Sequence, residues 1–158
     1  MKILVSHCLL GEPCRYDGAS RLDRRVLELH KAGHTLIPVC PEVLGGLDTP
    51  RAPAELQPDG RVVNADGEDV TAAYQAGAEA ALRIAKQSGC TAAVLKARSP
   101  SCGCGEVYDG TFTHTLKGGW GLTARLLREA GEKVLQRGQL HGRPVRTQDD
   151  LLPGGVQG

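Results

Sequence analysis

Aromatic side chains are scarce in this chain of 158 residues: one tryptophan, one phenylalanine and three tyrosines, 3% of the whole. That argues against a small barrel packed on aromatic rings. The core has to be assembled from Leu, Val, Ile and Ala, which suits packed α/β layers. An excess of charge is lacking too. Nineteen Lys and Arg stand against eighteen Asp and Glu, a formal net charge of +1, which argues against a nucleic-acid-coating or membrane-clinging surface and for small-molecule ligands. Apolar runs are short, and none approaches the ~20 residues that cross a bilayer. The opening MKILVSHCLLG has one lysine, an apolar run interrupted by His7 and no small-residue cleavage site, which argues against a signal peptide and for the cytoplasm. Six cysteines are present but no Cys-x-x-Cys pair, so the spacing of zinc ribbons and thioredoxin-like redox sites is missing. In a reducing compartment such thiols point to metal binding or catalysis before disulfides.

What the sequence does have is a regular alternation of apolar runs and helical periodicity. KILVSH (2–7) reads as a buried strand. In RLDRRVLELHKAGH (21–34), Leu22, Val26 and Leu29 recur at helical spacing before Gly33, a natural C-cap. TLIPVC (35–40) reads as a second strand, stopped by Pro41. From Glu42 to about Asp69 the chain turns irregular, with RVVNADGED forming a small hairpin around Asp66-Gly67. This segment is a candidate lid. Val70 to Ser88 is an Ala-rich helix, with Asp69 or Thr71 at its start and Gly89 at its end. TAAVLK (91–96) gives a third strand, GLTARLLREAG (121–131) a further helix and KVLQRG (133–138) a fourth strand. The expected fold is α/β, a single domain over 1–145 with a mainly parallel sheet, helices on both faces and right-handed crossovers. Residues 146–158 are expected to form a loosely ordered tail. Tyr-Asp-Gly occurs at 16–18 and again at 108–110, and reads each time as a tight turn.

In a parallel sheet Cys8, Cys40 and Cys102 all emerge at one edge, the edge where open α/β sheets bind ligands. Cys14 can fold back to the same rim, as a fourth ligand, a resolving thiol or a packed loop residue. Cys90 precedes its strand, belongs to the opposite edge and reads as a small buried hydrophobe. Three converging thiolates suit either an iron–sulfur cluster with one open iron or a catalytic metal with an open position, and all-sulfur coordination selects iron–sulfur or zinc over hard cations. Glu42, two residues past Cys40, reads either as a general acid or base beside the metal or as an exposed loop carboxylate. Ser99 and Ser101 are candidates to hydrogen-bond a substrate, though Ser before Pro or beside Gly is also ordinary turn chemistry. Arg15, Arg51 and Lys96 are candidates to hold an anionic substrate, or else solvated surface groups.

HCLLGEPCRYDG, PVCPEVLGGLDTPR and LKARSPSCGCGEVYDGTF, in this order, resemble the DUF523 family, whose characterised members are TudS-type thiouracil desulfidases. The resemblance extends to GRVVNADGEDVTAAYQAGA and GLTARLL, and covers roughly residues 1–135. It implies a Rossmann-like single domain holding a [4Fe-4S] cluster through Cys8, Cys40 and Cys102. Glu42 and Ser99 or Ser101 would be catalytic helpers, with Ser99 preferred. The implied substrate is a thiolated uracil base or nucleotide, with no nucleic acid or membrane partner and a monomer or small homo-oligomer as the assembly. Cys104 stands where the family pattern leads one to expect a small residue, and KGGWGLT lacks the acidic residue expected before the helix. The implied chemistry is hydrolytic C–S cleavage without net electron transfer. Two rivals use the same thiols: a four-thiolate zinc site completed by Cys14, and a metal-free sulfur carrier working through Cys102 and Cys104.

Overall fold

The computed structural model describes residues 1–10 and 24–136. In chain order its elements are β1 (Lys2–Ser6), a single 3-10 turn (His7–Leu10), α1 (Arg24–Lys31), β2 (Thr35–Val39), α2 (Pro41–Leu44), β3 (Ala54–Leu56), β4 (Val62–Asn64), α3 (Thr71–Ser88), β5 (Ala92–Leu95), β6 (Cys104–Tyr108), β7 (Leu116–Trp120), α4 (Leu122–Glu129) and β8 (Lys133–Gln136). Strands β2, β1, β5 and β8 lie side by side in that order, all parallel. This is the α/β architecture that the strand–helix alternation predicts. Strands covered on both faces are apolar, and the central pair is buried over Ile3–Ser6 and Ala92–Leu95. Ile3, Val5, Ala92, Val94 and Leu135 pack with Val26 and Leu29 of α1. Their neighbours Leu4, Ala93, Leu95 and Val134 pack on the other face with Ala85 of α3 and Ala124 and Leu127 of α4.

The run of small residues along α3 serves a close approach. A Cβ placed on Gly77 would lie 1.9 Å from the Pro41 carbonyl oxygen, and one on Gly45 would lie 2.0 Å from that of Ala73. The short helix α2 therefore rests backbone to backbone on α3. This contact fixes α2, and with it the residues at the end of β2.

Two antiparallel hairpins flank the sheet edge, β3–β4 and β6–β7. The turn expected at Asp66-Gly67 is present, with Gly67 at φ 83° and its N–H bonded to the Asn64 carbonyl at 3.0 Å. The ladder of β4, however, runs back to β3 across residues 57–61. Strand β3 has only three residues and shows no period of its own. The β6–β7 pair was not expected, because Gly105, Gly118 and Gly119 interrupt the apolar alternation. The start of α3 meets the expectation in part: Val70 is the N-cap, and the Asp69 carboxylate accepts the Thr71 N–H at 2.9 Å. Among the described residues no helix is long and apolar enough to cross a membrane. Residues 137–158, with the tail, lie outside the described residues.

Candidate active site

Cys8 follows β1 in the 3-10 turn, Cys40 follows β2 as the N-cap of α2, and Cys102 sits in the loop after β5. All three line one cavity of about 750 Å³ at the carboxyl edge of the sheet, as do Glu42, Arg51, Lys96 and Ser99. Cys8 and Cys102 are buried and Cys40 half-buried, and none of them is in a disulfide. Cys14 and Arg15 lie outside the described residues. Cys90 is buried at the opposite edge, where burial raises its pKa, in line with a packing role. Cys104 points into the core beside Ala124, its thiol donating to the Cys102 carbonyl at 3.3 Å.

The Cys102 loop is held from both sides. Ser99 Oγ accepts the Cys102 N–H at 2.7 Å, so this hydroxyl shapes the turn at the cavity wall. The carbonyl of Pro100 accepts the Leu122 N–H at 2.8 Å, and that of Ser101 accepts those of Thr123 and Ala124 at 2.9 and 3.1 Å. The loop thereby satisfies the orphan donors of the first turn of α4. Gly121 permits this docking, since a Cβ there would fall 2.4 Å from the Ser101 carbonyl carbon. The Ser101 side chain is fully buried, paired with Thr123 Oγ1 at 2.8 Å and 3.8 Å from Cys102 Sγ. It lies behind the cavity wall.

Burial pushes the Cys102 thiol up to about 12; the charge of Glu42 adds to the rise, while hydrogen bonding with Ser6 and Ser101 opposes it. Ser6 was not singled out in the sequence. Its Oγ accepts the Lys96 N–H at 2.9 Å, which joins the end of β1 to the start of the Cys102 loop.

Glu42 occupies the first turn of α2. Arg51 Nε donates to its Oε2 at 2.9 Å and Nη2 donates to the same oxygen, while Arg51 Nη1 donates to the Asp48 carbonyl and to Thr49 Oγ1, each at 3.0 Å. Only 9% of the Arg51 side chain and 15% of that of Glu42 are exposed. Burial alone would lower the Arg51 guanidinium, and the Glu42 charge and hydrogen bond overcome it, so its pKa stands above the ordinary value. Tyr74 of α3 also bonds Glu42, and burial with that neighbouring charge holds its phenol protonated. Arg51 is thus placed to hold Glu42, not standing free to greet an anion.

The β6–β7 hairpin brings Tyr108, Phe112 and His114 to the same cavity. Glu55 of β3, which is buried, accepts the N–H groups of Gly110 and Phe112 at 3.0 and 3.1 Å and so fastens the hairpin. In the sequence this unit is signalled by the Tyr108-Asp109-Gly110 turn, where Gly110 has φ 96°, and by the alternation of Thr with ring residues in TFTHT.

The chemistry that this wall supports follows from its donors. Among the described residues no three His, Cys, Asp or Glu side chains converge closely enough to hold a single metal ion. The three thiols share the lining of one cavity, and soft sulfur donors suit iron–sulfur or zinc chemistry over hard cations.

A family model described as 2-thiouracil desulfurase matches residues 3–139. The chain belongs to the 2-thiouracil desulfurase family. Protein YbbK of Bacillus subtilis (strain 168) is 43% identical over 151 residues, covering 88% of this chain and 97% of that one. A solved structure of the [4Fe-4S]-dependent thiouracil desulfidase TudS (DUF523Vcz) superposes with a TM-score of 0.82 at 46% identity, over 88% of this chain and 92% of that one. The desulfurase family's sulfur chemistry accords with the soft, thiol-lined cavity found here.

Proposed function

We propose that this protein hydrolyses the C–S bond of a thiolated uracil, base or nucleotide, at a [4Fe-4S] cluster held by Cys8, Cys40 and Cys102. The observation that carries this reading is the arrival of three thiols from three separate strand ends in the cavity that also contains a half-buried, ion-paired carboxylate. When bound, such a cluster supplies a thiophilic Lewis-acid iron that a thiocarbonyl sulfur can reach. Everything else is the work of the chain. The hairpin and the β3–β4 segment wall the substrate off from bulk water. Glu42 receives the proton of the water attacking the ring carbon, at Oε1, the carboxylate oxygen that Arg51 does not take. Arg51 and Tyr74 hold that carboxylate in place while the charge shifts. The water oxygen ends on the ring carbon, the sulfur leaves as hydrosulfide, and no electrons are gained or lost overall. Ser99 builds the loop that presents Cys102, and Lys96 lines the approach for an anionic substrate group.

Anaerobic purification with iron, sulfide and zinc analysis tests this reading, with wild type compared to Cys8→Ala, Cys40→Ala and Cys102→Ala. About four iron and four sulfide per chain, lost in each variant, together with conversion of 2-thiouracil to uracil without a reductant, is the expected result. A colourless protein with stoichiometric zinc, or turnover that scales with added dithionite, refutes it.

A further inference from the structure

The chain has a single phenylalanine, and the fold does not spend it on the core. Phe112 sits 38% exposed on the hairpin between β6 and β7, at the mouth of the thiol-lined cavity. Its backbone has φ 58°, and His114 two residues on has φ 56°, left-handed values that side chains other than glycine seldom adopt. Such conformations persist only where the surroundings over-determine them. Here they are over-determined. The buried Glu55 carboxylate accepts the N–H groups of Gly110 and Phe112. Hydroxyls of Thr111, Thr113 and Thr115 form a chain with spacings of 2.6 and 2.8 Å. Asp109 Oδ1 accepts the Thr111 N–H at 3.0 Å. The His114 ring meets Tyr108 edge to face at 5.8 Å and 82°. Threonines alternate with rings, so one side of the loop is tied to itself while Phe112 and His114 reach the cavity.

From this we infer that Phe112 and His114 form the platform on which the planar ring of the substrate stacks, with its sulfur directed toward the three thiols. The inference rests on the proposed desulfidase function for the identity of the ring, and the loop's construction is its own evidence. Every pyrimidine has a π-face, so such a platform holds base and nucleotide alike. The hairpin then sets the affinity for substrate, while Glu42, which lines the same cavity, handles the proton.

Three variants of the cluster-loaded protein test it: Phe112→Ala, Phe112→Trp and His114→Ala. For 2-thiouracil the Phe112→Ala protein should show KM raised about tenfold, the size of one lost base–aromatic stack, with iron content and kcat close to wild type. His114→Ala should raise KM in the same way. Phe112→Trp should restore KM, and its new indole emission should be quenched by 2-thiouracil and by uracil, a signal that needs no turnover. A wild-type KM in Phe112→Ala together with unquenched emission in Phe112→Trp overturns the platform. Wild-type protein that fails to desulfurate 2-thiouracil counts instead against the function, because the emission titration still reports whether a ring binds at the hairpin.

Discussion

Gly77→Ala should damage this protein although helix propensity favours the change. Alanine in the interior of α3 is worth about 1 kcal/mol over glycine. The added methyl, however, would lie 1.9 Å from the Pro41 carbonyl oxygen and 2.7 Å from its carbon, both backbone atoms that no rotamer change can move. Carbon–oxygen contacts much under about 3 Å are not tolerated, so α2 must retreat by at least about 1 Å. Overpacking costs about 1–3 kcal/mol, and a backbone approach of 1.9 Å belongs in the upper part of that range, about 2–3 kcal/mol, which outweighs the propensity gain. The net loss, about 1–2 kcal/mol, corresponds to a fall in Tm of roughly 2–8 °C for a chain of this size. Function should suffer more than stability. Cys40 and Glu42 move with α2, and a displacement near 1 Å at a reacting centre lowers rates by about a hundredfold. Calorimetry, iron content and turnover of 2-thiouracil together decide the matter. A Gly77→Ala protein as stable as wild type, with unaltered kcat, would refute the claim that backbone contact between the two helices positions the site.

Three further perturbations have defined outcomes. Arg51→Ala leaves the Glu42 carboxylate, 15% exposed, without its cation, and should destabilise the protein by about 3 kcal/mol in urea; a loss under about 1 kcal/mol would mean that the pair behaves as a surface one. Glu55→Leu strips Gly110 and Phe112 of their acceptor and should cost about 2 kcal/mol; proteolysis should then cut within 109–115, and resistance there would refute the fastening role. Burial raises the Cys104 thiol above its ordinary 9.0. Above that pH the unfolded chain loses the proton that the folded chain keeps, so stability of the metal-free protein should be level below it and fall as pH rises, by at most about 1.4 kcal/mol per unit from this thiol. A Cys104→Ala protein that declines as steeply in urea titrations from about pH 8 to about pH 10 would contradict that assignment.

The sheet and the cysteine edge were legible in the sequence because both depend on local signals. Runs such as KILVS and AAVL are apolar on both faces, and a thiol placed just after a strand can emerge at only one end of it. Partnerships made across the fold were not legible. Nothing near Arg51 in the chain says that it will grip Glu42 from behind, and nothing in VTAAYQ marks Tyr74 as a partner of the same carboxylate. Ser6 reads as the polar end of a strand until the Cys102 loop is laid against it. The β6–β7 hairpin was hidden by its glycines, which blur the period of two. The cavity's aromatic side was hidden with it.

The three cavity thiols stand at positions 8, 40 and 102, each beyond a different strand. No fragment of the chain contains the site. A ribosome has delivered the first two thiols long before the third, and until β5 has entered between β1 and β8 the edge that gathers them does not exist. Whatever the thiols hold must therefore be installed late in the chain's synthesis or after it, into a protein that has already folded enough to receive it.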